Sequence, residues 1–261
     1  MTTGVFKELQ DQREREIDAQ GADQELQGLT QKWFDQSCKN NYSVHFDWMS
    51  RPIVQYPQDM IALQEIIWCV KPDLIIECGI AHGGSLVYSA SILAMLDYCE
   101  AAENNEPLNP HLTTSKVLGI DIDIRSHNRA AIDAHPLKHK IEMIEASSIE
   151  PDTIAQVKAF AANYKNIMVI LDSHHSHDHV LAELNAYAEL TAINSYCIVF
   201  DTVIEDMPAE LHDNRPWGPG NSPKSAVWEF MKSNTNFEID QKIDSKLLIS
   251  VAPEGYLKKV S

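Results

Sequence analysis

Leu74-Ile75-Ile76-Glu77-Cys78-Gly79-Ile80-Ala81-His82-Gly83-Gly84-Ser85 decides how the chain is read, because an apolar run breaks there into glycines and then into a helical pattern. The stretch predicts strand, tight loop, helix. Glycine serves where a backbone turns with positive φ or passes close to a ligand. Gly79, Gly83 and Gly84 supply such places directly after a buried strand. The carboxyl end of such a strand is where open α/β sheets bind nucleotides.

Gly79-x-Ala81-x-x-Gly84 departs from the dinucleotide fingerprint at one position. Ala81 puts a methyl group where the fingerprint's second glycine lets the backbone approach a pyrophosphate. A nucleoside without phosphates suits the loop better. S-adenosylmethionine (SAM) lays its adenosine over such a loop and turns its carboxylate to backbone N–H groups, while Glu77 is placed to pair with its ammonium. Gly79, Ala81, Gly83 and Ser85 are the loop's other cofactor-binding candidates. A plain strand-to-helix turn, with glycines serving packing, is the alternative reading.

Working outward, Pro57 to Val70 and Ser85 to Tyr98 carry apolar residues at helical spacing on either side of this strand. Lys116 to Asp123 predicts a second strand ending in acid, and Asp121 is the candidate for both ribose hydroxyls, with Asp123 as fallback. Ile141 to Ser148 predicts a third that ends in two hydroxyls, Ser147 or Ser148 facing the adenine edge, with Ser147 favoured because Ser148 also resembles the cap of a helix over Ile154 to Tyr164. Ile167 to Asp172 and Tyr196 to Thr202 repeat the strand-then-acid device. Strands alternating with helices predict a mostly parallel sheet with its acids along one edge. Phe237 to Asp240 and Leu247 to Ala252 are expected as an antiparallel pair at the sheet edge.

Asp172-Ser173-His174-His175-Ser176-His177-Asp178-His179 is the second informative stretch. Asp172 and Asp201, with Thr202 or Glu205 close behind, offer an all-oxygen site suited to Mg²⁺. A helix starting within the histidine run points neighbouring imidazoles in different directions, which weakens a zinc or iron reading. His175 follows a ligand aspartate closely enough to face substrate as a general base.

The 261 residues fit one large α/β domain, read as residues 51–261, preceded by a polar helical arm over residues 1–50. The arm's apolar residues are sparse, so it folds against the main domain or a second copy of the chain, which makes a homo-oligomer through the arm the expectation. The net charge of −17 argues against nucleic acid and anionic membranes as partners. Five cysteines without a C-x-x-C pair read as reduced thiols in a cytoplasmic setting. The apolar runs are too short for membrane insertion.

Four segments together resemble the cephalosporin hydroxylase/rhamnosyl O-methyltransferase family: Ile76 to Ser85, Gly119 to Asp123, Leu171 to His175, and Phe200 to Asp206. Pro216-Trp217-Gly218-Pro219-Gly220, Pro223-Lys224, Phe237 to Asp240 and Gly255 to Lys258 extend the resemblance from about Trp48 to the end. It implies a three-layer, Rossmann-like SAM-dependent methyltransferase fold. It further implies that Asp172 and Asp201 fall on metal-ligand positions similar to those of catechol-type O-methyltransferases. Thr202 falls where those enzymes have an amide ligand, Phe200 where some relatives have an acid, and His175 where the catechol type has a lysine base. The expected activity is SAM-dependent, Mg²⁺-assisted O-methylation of a small-molecule or glycosyl acceptor. The alternatives are an NAD-type oxidoreductase or metal-dependent hydroxylase, and a non-catalytic SAM-binding protein.

Overall fold

The computed structural model describes residues 4–212 and 214–261, so the first three residues of the expected arm lie outside it. In chain order the helices are α1 Gly4–Ala22, α2 Gln24–Lys39, α3 Pro57–Val70, α4 Gly84–Asn104, α5 Ser126–Asp133, α6 Pro151–Ala161, α7 His177–Tyr187, α8 Pro223–Ser233 and α9 Gln241–Leu247. The strands are β1 Phe46–Trp48, β2 Arg51–Ile53, β3 Leu74–Cys78, β4 Lys116–Asp121, β5 Ile141–Glu145, β6 Ile167–Leu171, β7 Tyr196–Val199, β8 Phe237–Ile239 and β9 Tyr256–Lys259. β1 and β2 form a small hairpin. The other strands make a 7-stranded sheet in the order β5-β4-β3-β6-β7-β9-β8.

Pairing is parallel from β5 through β7 and antiparallel where β9 joins β7 and β8 joins β9. The long apolar strands explain this arrangement. Alternate residues of a strand face opposite sides, so a strand apolar at every position must be covered on both faces. Ile75, Val117, Met168 and Ile198 enter one core with α3 and α4. Leu74, Ile76, Leu118, Val169 and Cys197 enter the other, with α6, α7 and α8. Three layers result.

β3 lies between β4 and β6, so the chain leaves it in opposite directions on its two sides. That is the topological switch point, where the strand ends open a crevice. Glu77 sits near the end of β3, Asp121 ends β4, and Asp172 directly follows β6. The expected rim of acids is therefore built by strand order alone.

Three expectations shift. The second C-terminal strand is β9, not Leu247 to Ala252. Leu247 ends α9 and residues 248–252 follow it as an irregular bend, with Ser250 Oγ and Val251 N–H drawn inward to the Asp59 carboxylate. α4 continues to Asn104, and α6 starts at Pro151 with Glu150 rather than Ser148 at its cap position. The arm is also not uniform. Phe34 of α2 stacks on Tyr56 with ring centroids 5.0 Å apart and is part of the core, whereas Phe6 and Leu9 of α1 stay exposed. Among the described residues, no helix is long and apolar enough to cross a membrane, and all five cysteines are free.

Candidate active site

The glycine loop is held rather than merely permitted. Gly79 has φ +88°, and a Cβ there would stand 2.1 Å from the Asp172 carbonyl oxygen, so no other residue lets the loops after β3 and β6 cross so closely. Gly83 has φ +80°, and its Cβ would strike Ile132. Ala81 carries φ +44°, a strained value for a residue with a side chain. Its carbonyl accepts from Asn128 Nδ2 at 3.1 Å, and Arg51 Nε donates to the His82 carbonyl at 3.1 Å. Arg51 also donates to Asn128 Oδ1 at 3.0 Å, closing a clamp over the loop.

Glu77 is 1% exposed on the face shared with α4. Its Oε1 accepts from Ser85 Oγ, while Oε2 is buried with no partner among the described residues. Burial pushes its carboxyl up to about 7, against the opposing pull of the Ser85 hydroxyl. A buried acceptor left open calls for a donor, and a cationic one gains most. Gln55, Glu77, Gly79, Ala81, Ser85 and Asp172 line this narrow cleft together.

Asp121 accepts Ile80 N–H at 2.9 Å on Oδ2 and Asp123 N–H at 3.0 Å on Oδ1. Each carboxylate oxygen retains a lone-pair position, and the group lines cavities on both sides. One, about 320 Å³, is walled by Ile120, Ile122 and Ile149 with Ser147, Ser148 and His174 among its polar groups. The other, about 350 Å³, is lined by Ser43, Gln55, Asp172, His175, Asp201 and Val251 among others.

Asp172, His175 and Asp201 each offer one ligand atom, and those atoms lie within 4.8 Å of one another. His175 Nε2 is 3.1 Å from Asp201 Oδ2. Burial, then the Asp201 charge and the Glu77 charge, push the Asp172 carboxyl well above the usual carboxylate range. Acids gathered this way are relieved by a bound cation. The donor set of two carboxylates and one imidazole fits a divalent ion; the carboxylates suit Mg²⁺, and the imidazole is the softer addition.

Thr202 and Glu205 do not join the acids. Asp201 itself takes φ +56°, which turns the chain out of β7 into a 3₁₀ segment over Thr202–Asp206. Thr202 Oγ1 donates to the Pro253 carbonyl at 2.6 Å, and Glu205 accepts Gly220 N–H at 2.9 Å and Ser222 Oγ–H. Phe200 is buried in the core and contributes no acid. The sequence reading missed Arg51, Asn128 and Ser43, which come from segments remote from the glycine loop. It also missed Trp217 as a neighbour of His174 and His175, with ring centroids 5.1 and 4.9 Å away.

Rhamnosyl O-methyltransferase of Mycobacterium tuberculosis (strain H37Rv) is similar to this chain, 31% identical over 202 residues, which is 76% of this chain and 72% of that protein. The Mycobacterium leprae rhamnosyl O-methyltransferase is 29% identical over 211 residues, covering 80% and 81%. Among solved structures, CmcI with Mg and SAM has a TM-score of 0.54 at 14% identity, covering 84% of this chain and 78% of that one. An O-methyltransferase from Bacillus cereus in complex with SAH has a TM-score of 0.50 at 15% identity, covering 80% and 81%. At those identities the structures speak for a common fold. The family model described as Rhamnosyl O-methyltransferase/CmcI matches residues 40–260, nearly all of the sheet and its helices and every residue of the crevice, and the chain belongs to that family.

Proposed function

We propose that this chain is a SAM-dependent, Mg²⁺-assisted O-methyltransferase acting on a hydroxyl of a small-molecule or glycosyl acceptor. The observation that carries the reading is the buried, unpartnered Glu77 Oε2 at one end of a crevice whose other end gathers Asp172, Asp201 and His175. A zwitterionic cofactor is what joins a carboxylate needing an ammonium to a separate reaction centre.

Glu77 Oε2 binds the ammonium, with Ser85 fixing the other oxygen. Asp121 orients the ribose, and the hydroxyl-lined cavity beyond it takes the adenine. Asp172 and Asp201 would hold the cation. When bound, SAM supplies the methyl group and the cation lowers the pKa of the acceptor hydroxyl. His175 takes the proton of that hydroxyl, and Asp201, 3.1 Å from its Nε2, orients the ring. Gln55 and Val251 wall the same cavity. The closeness of His175 to both aspartates supports a second role as the third protein ligand, in the position read from sequence for Thr202 or Glu205.

The test is methyl transfer from labelled SAM to a panel of deoxysugar glycosides and phenols, with Mg²⁺ or with chelator. Transfer that needs both Mg²⁺ and Asp172 is expected. Transfer persisting in chelator with Asp172→Ala ends the metal role, and a chain that neither binds SAM nor transfers methyl ends the whole reading. His175→Ala separates its two roles: as a base it costs turnover but not Mg²⁺ affinity, and as a ligand it costs both.

A further inference from the structure

Glu183 on α7 is 0% exposed and lies behind the 320 Å³ cavity, outside every role assigned so far. Its Oε1 accepts from Ser173 Oγ at 2.6 Å and from Ser148 Oγ, with His179 Nε2 3.4 Å away. Both serines and His179 line the cavity. That oxygen takes two hydroxyl hydrogens, and the His179 nitrogen beside it also lies 3.3 Å from Ser148 Oγ. The consequence is directional. A serine hydroxyl has one hydrogen and two lone pairs, and an acceptor-only carboxylate oxygen takes the hydrogen. Ser148 and Ser173 are thereby left to present lone pairs to the cavity.

We propose that Glu183 sets the hydrogen-bond polarity of the adenine-side cavity, making Ser148 and Ser173 acceptors that read a 6-amino purine and reject a 6-oxo purine. This rests on the SAM reading given above. The exocyclic amine of adenine is a donor matched to those lone pairs, whereas a 6-oxo group brings an acceptor against acceptors. Glu183 touches no ligand and is a positioning residue. Replacing it with glutamine reverses the logic, because the amide N–H₂ donates to the serine oxygens and frees their hydrogens to turn outward.

The experiment is calorimetric titration of the full chain with S-adenosylhomocysteine and with S-inosylhomocysteine. The wild type should prefer the 6-amino ligand by at least about tenfold, as expected for mispaired buried polar groups. Glu183→Gln should bring the two affinities to within about threefold, a ratio that a general loosening of the fold leaves unchanged. Should that variant fail to fold, Ser173→Ala removes one acceptor at a partly exposed position and should lower the ratio about fivefold. Equal wild-type affinities, or a ratio unmoved in whichever variant folds, overturns the inference while leaving the cofactor reading intact. A wild type that binds neither ligand overturns the cofactor reading itself.

Discussion

Asp59 and Asp172 are both enclosed acids within one domain, and the chain treats them oppositely. Asp59, on α3, accepts Ser250 Oγ–H at 2.6 Å, Val251 N–H at 2.9 Å and Tyr256 O–H at 2.8 Å. Those donors hold it down against burial, and its carboxyl is pushed up only to about 6. Asp172, at the crevice, faces Asp201 and Glu77 and is pushed well above the usual range. A carboxylate surrounded by donors of its own chain is finished structure. One surrounded by other carboxylates is an incomplete site, and its missing partner is a cation.

The largest effect should separate the two roles outright. Asp172→Asn should lower methyl transfer by about 10³-fold or more, since the cation's charge stabilisation goes with its ligand. Its melting temperature without metal should hold or rise, because a like-charge contact is relieved. Asp59→Ala should do the reverse. It strands three buried donors and should cost about 2–4 kcal/mol of stability, with the folded fraction still competent in transfer. Paired melts and single-turnover assays check this, and a variant of Asp172 that unfolds while keeping its activity would erase the contrast.

Acidity tests the same contrast with a smaller effect. The Asp59 carboxyl has its folded-state pKa raised from the ordinary 3.8 to about 6. The folded chain therefore binds more protons than the unfolded chain across that window. The stabilisation is complete below pH 3.8 and lost as pH rises through about 6, amounting to about 3 kcal/mol. Asp59→Asn should lack this component, seen as a flatter denaturant-midpoint profile between pH 4 and 7. Glu77, raised to about 7, obeys the same sign, and pairing with an ammonium must expel its proton. Cofactor affinity should accordingly climb up to about tenfold per pH unit below 7 and level off above. Glu77→Gln should bind weakly at every pH.

How much of this was legible in sequence follows from the range of each signal. Glu77, Asp121, Asp172 and Asp201 were readable because an apolar run ending in an acid is local, and parallel order then gathers the tips. Leu247 to Ala252 was misread because its apolar residues resemble a strand, while the force shaping it comes from Asp59, 192 residues before Val251 in the chain. Glu183 resembles an ordinary i, i+4 partner of His179 on a helix surface, and only the packed structure makes it buried. Arg51 and Asn128 gave no signal either, since their clamp on Ala81 and His82 joins segments that meet only after β2 and α5 dock.

Thr202 and Glu205 supply the finest test, because sequence proximity to Asp201 suggested ligands and the left-handed Asp201 backbone carries both away. Thr202→Val leaves the Pro253 carbonyl without its donor and should cost about 1–2 kcal/mol, with Mg²⁺ affinity unchanged within twofold. Glu205→Gln weakens the charge-assisted bonds to Gly220 N–H and Ser222 Oγ–H. Amide exchange at Gly220 should quicken several-fold, and Trp217, in the same loop, should loosen from His174 and His175 without altering the cation site. A tenfold fall in Mg²⁺ affinity for either variant would return that residue to the ligand set. The contrast between Asp59 and the crevice would then fade, since the crevice too would be finished from within by groups already spent on Pro253 or Gly220.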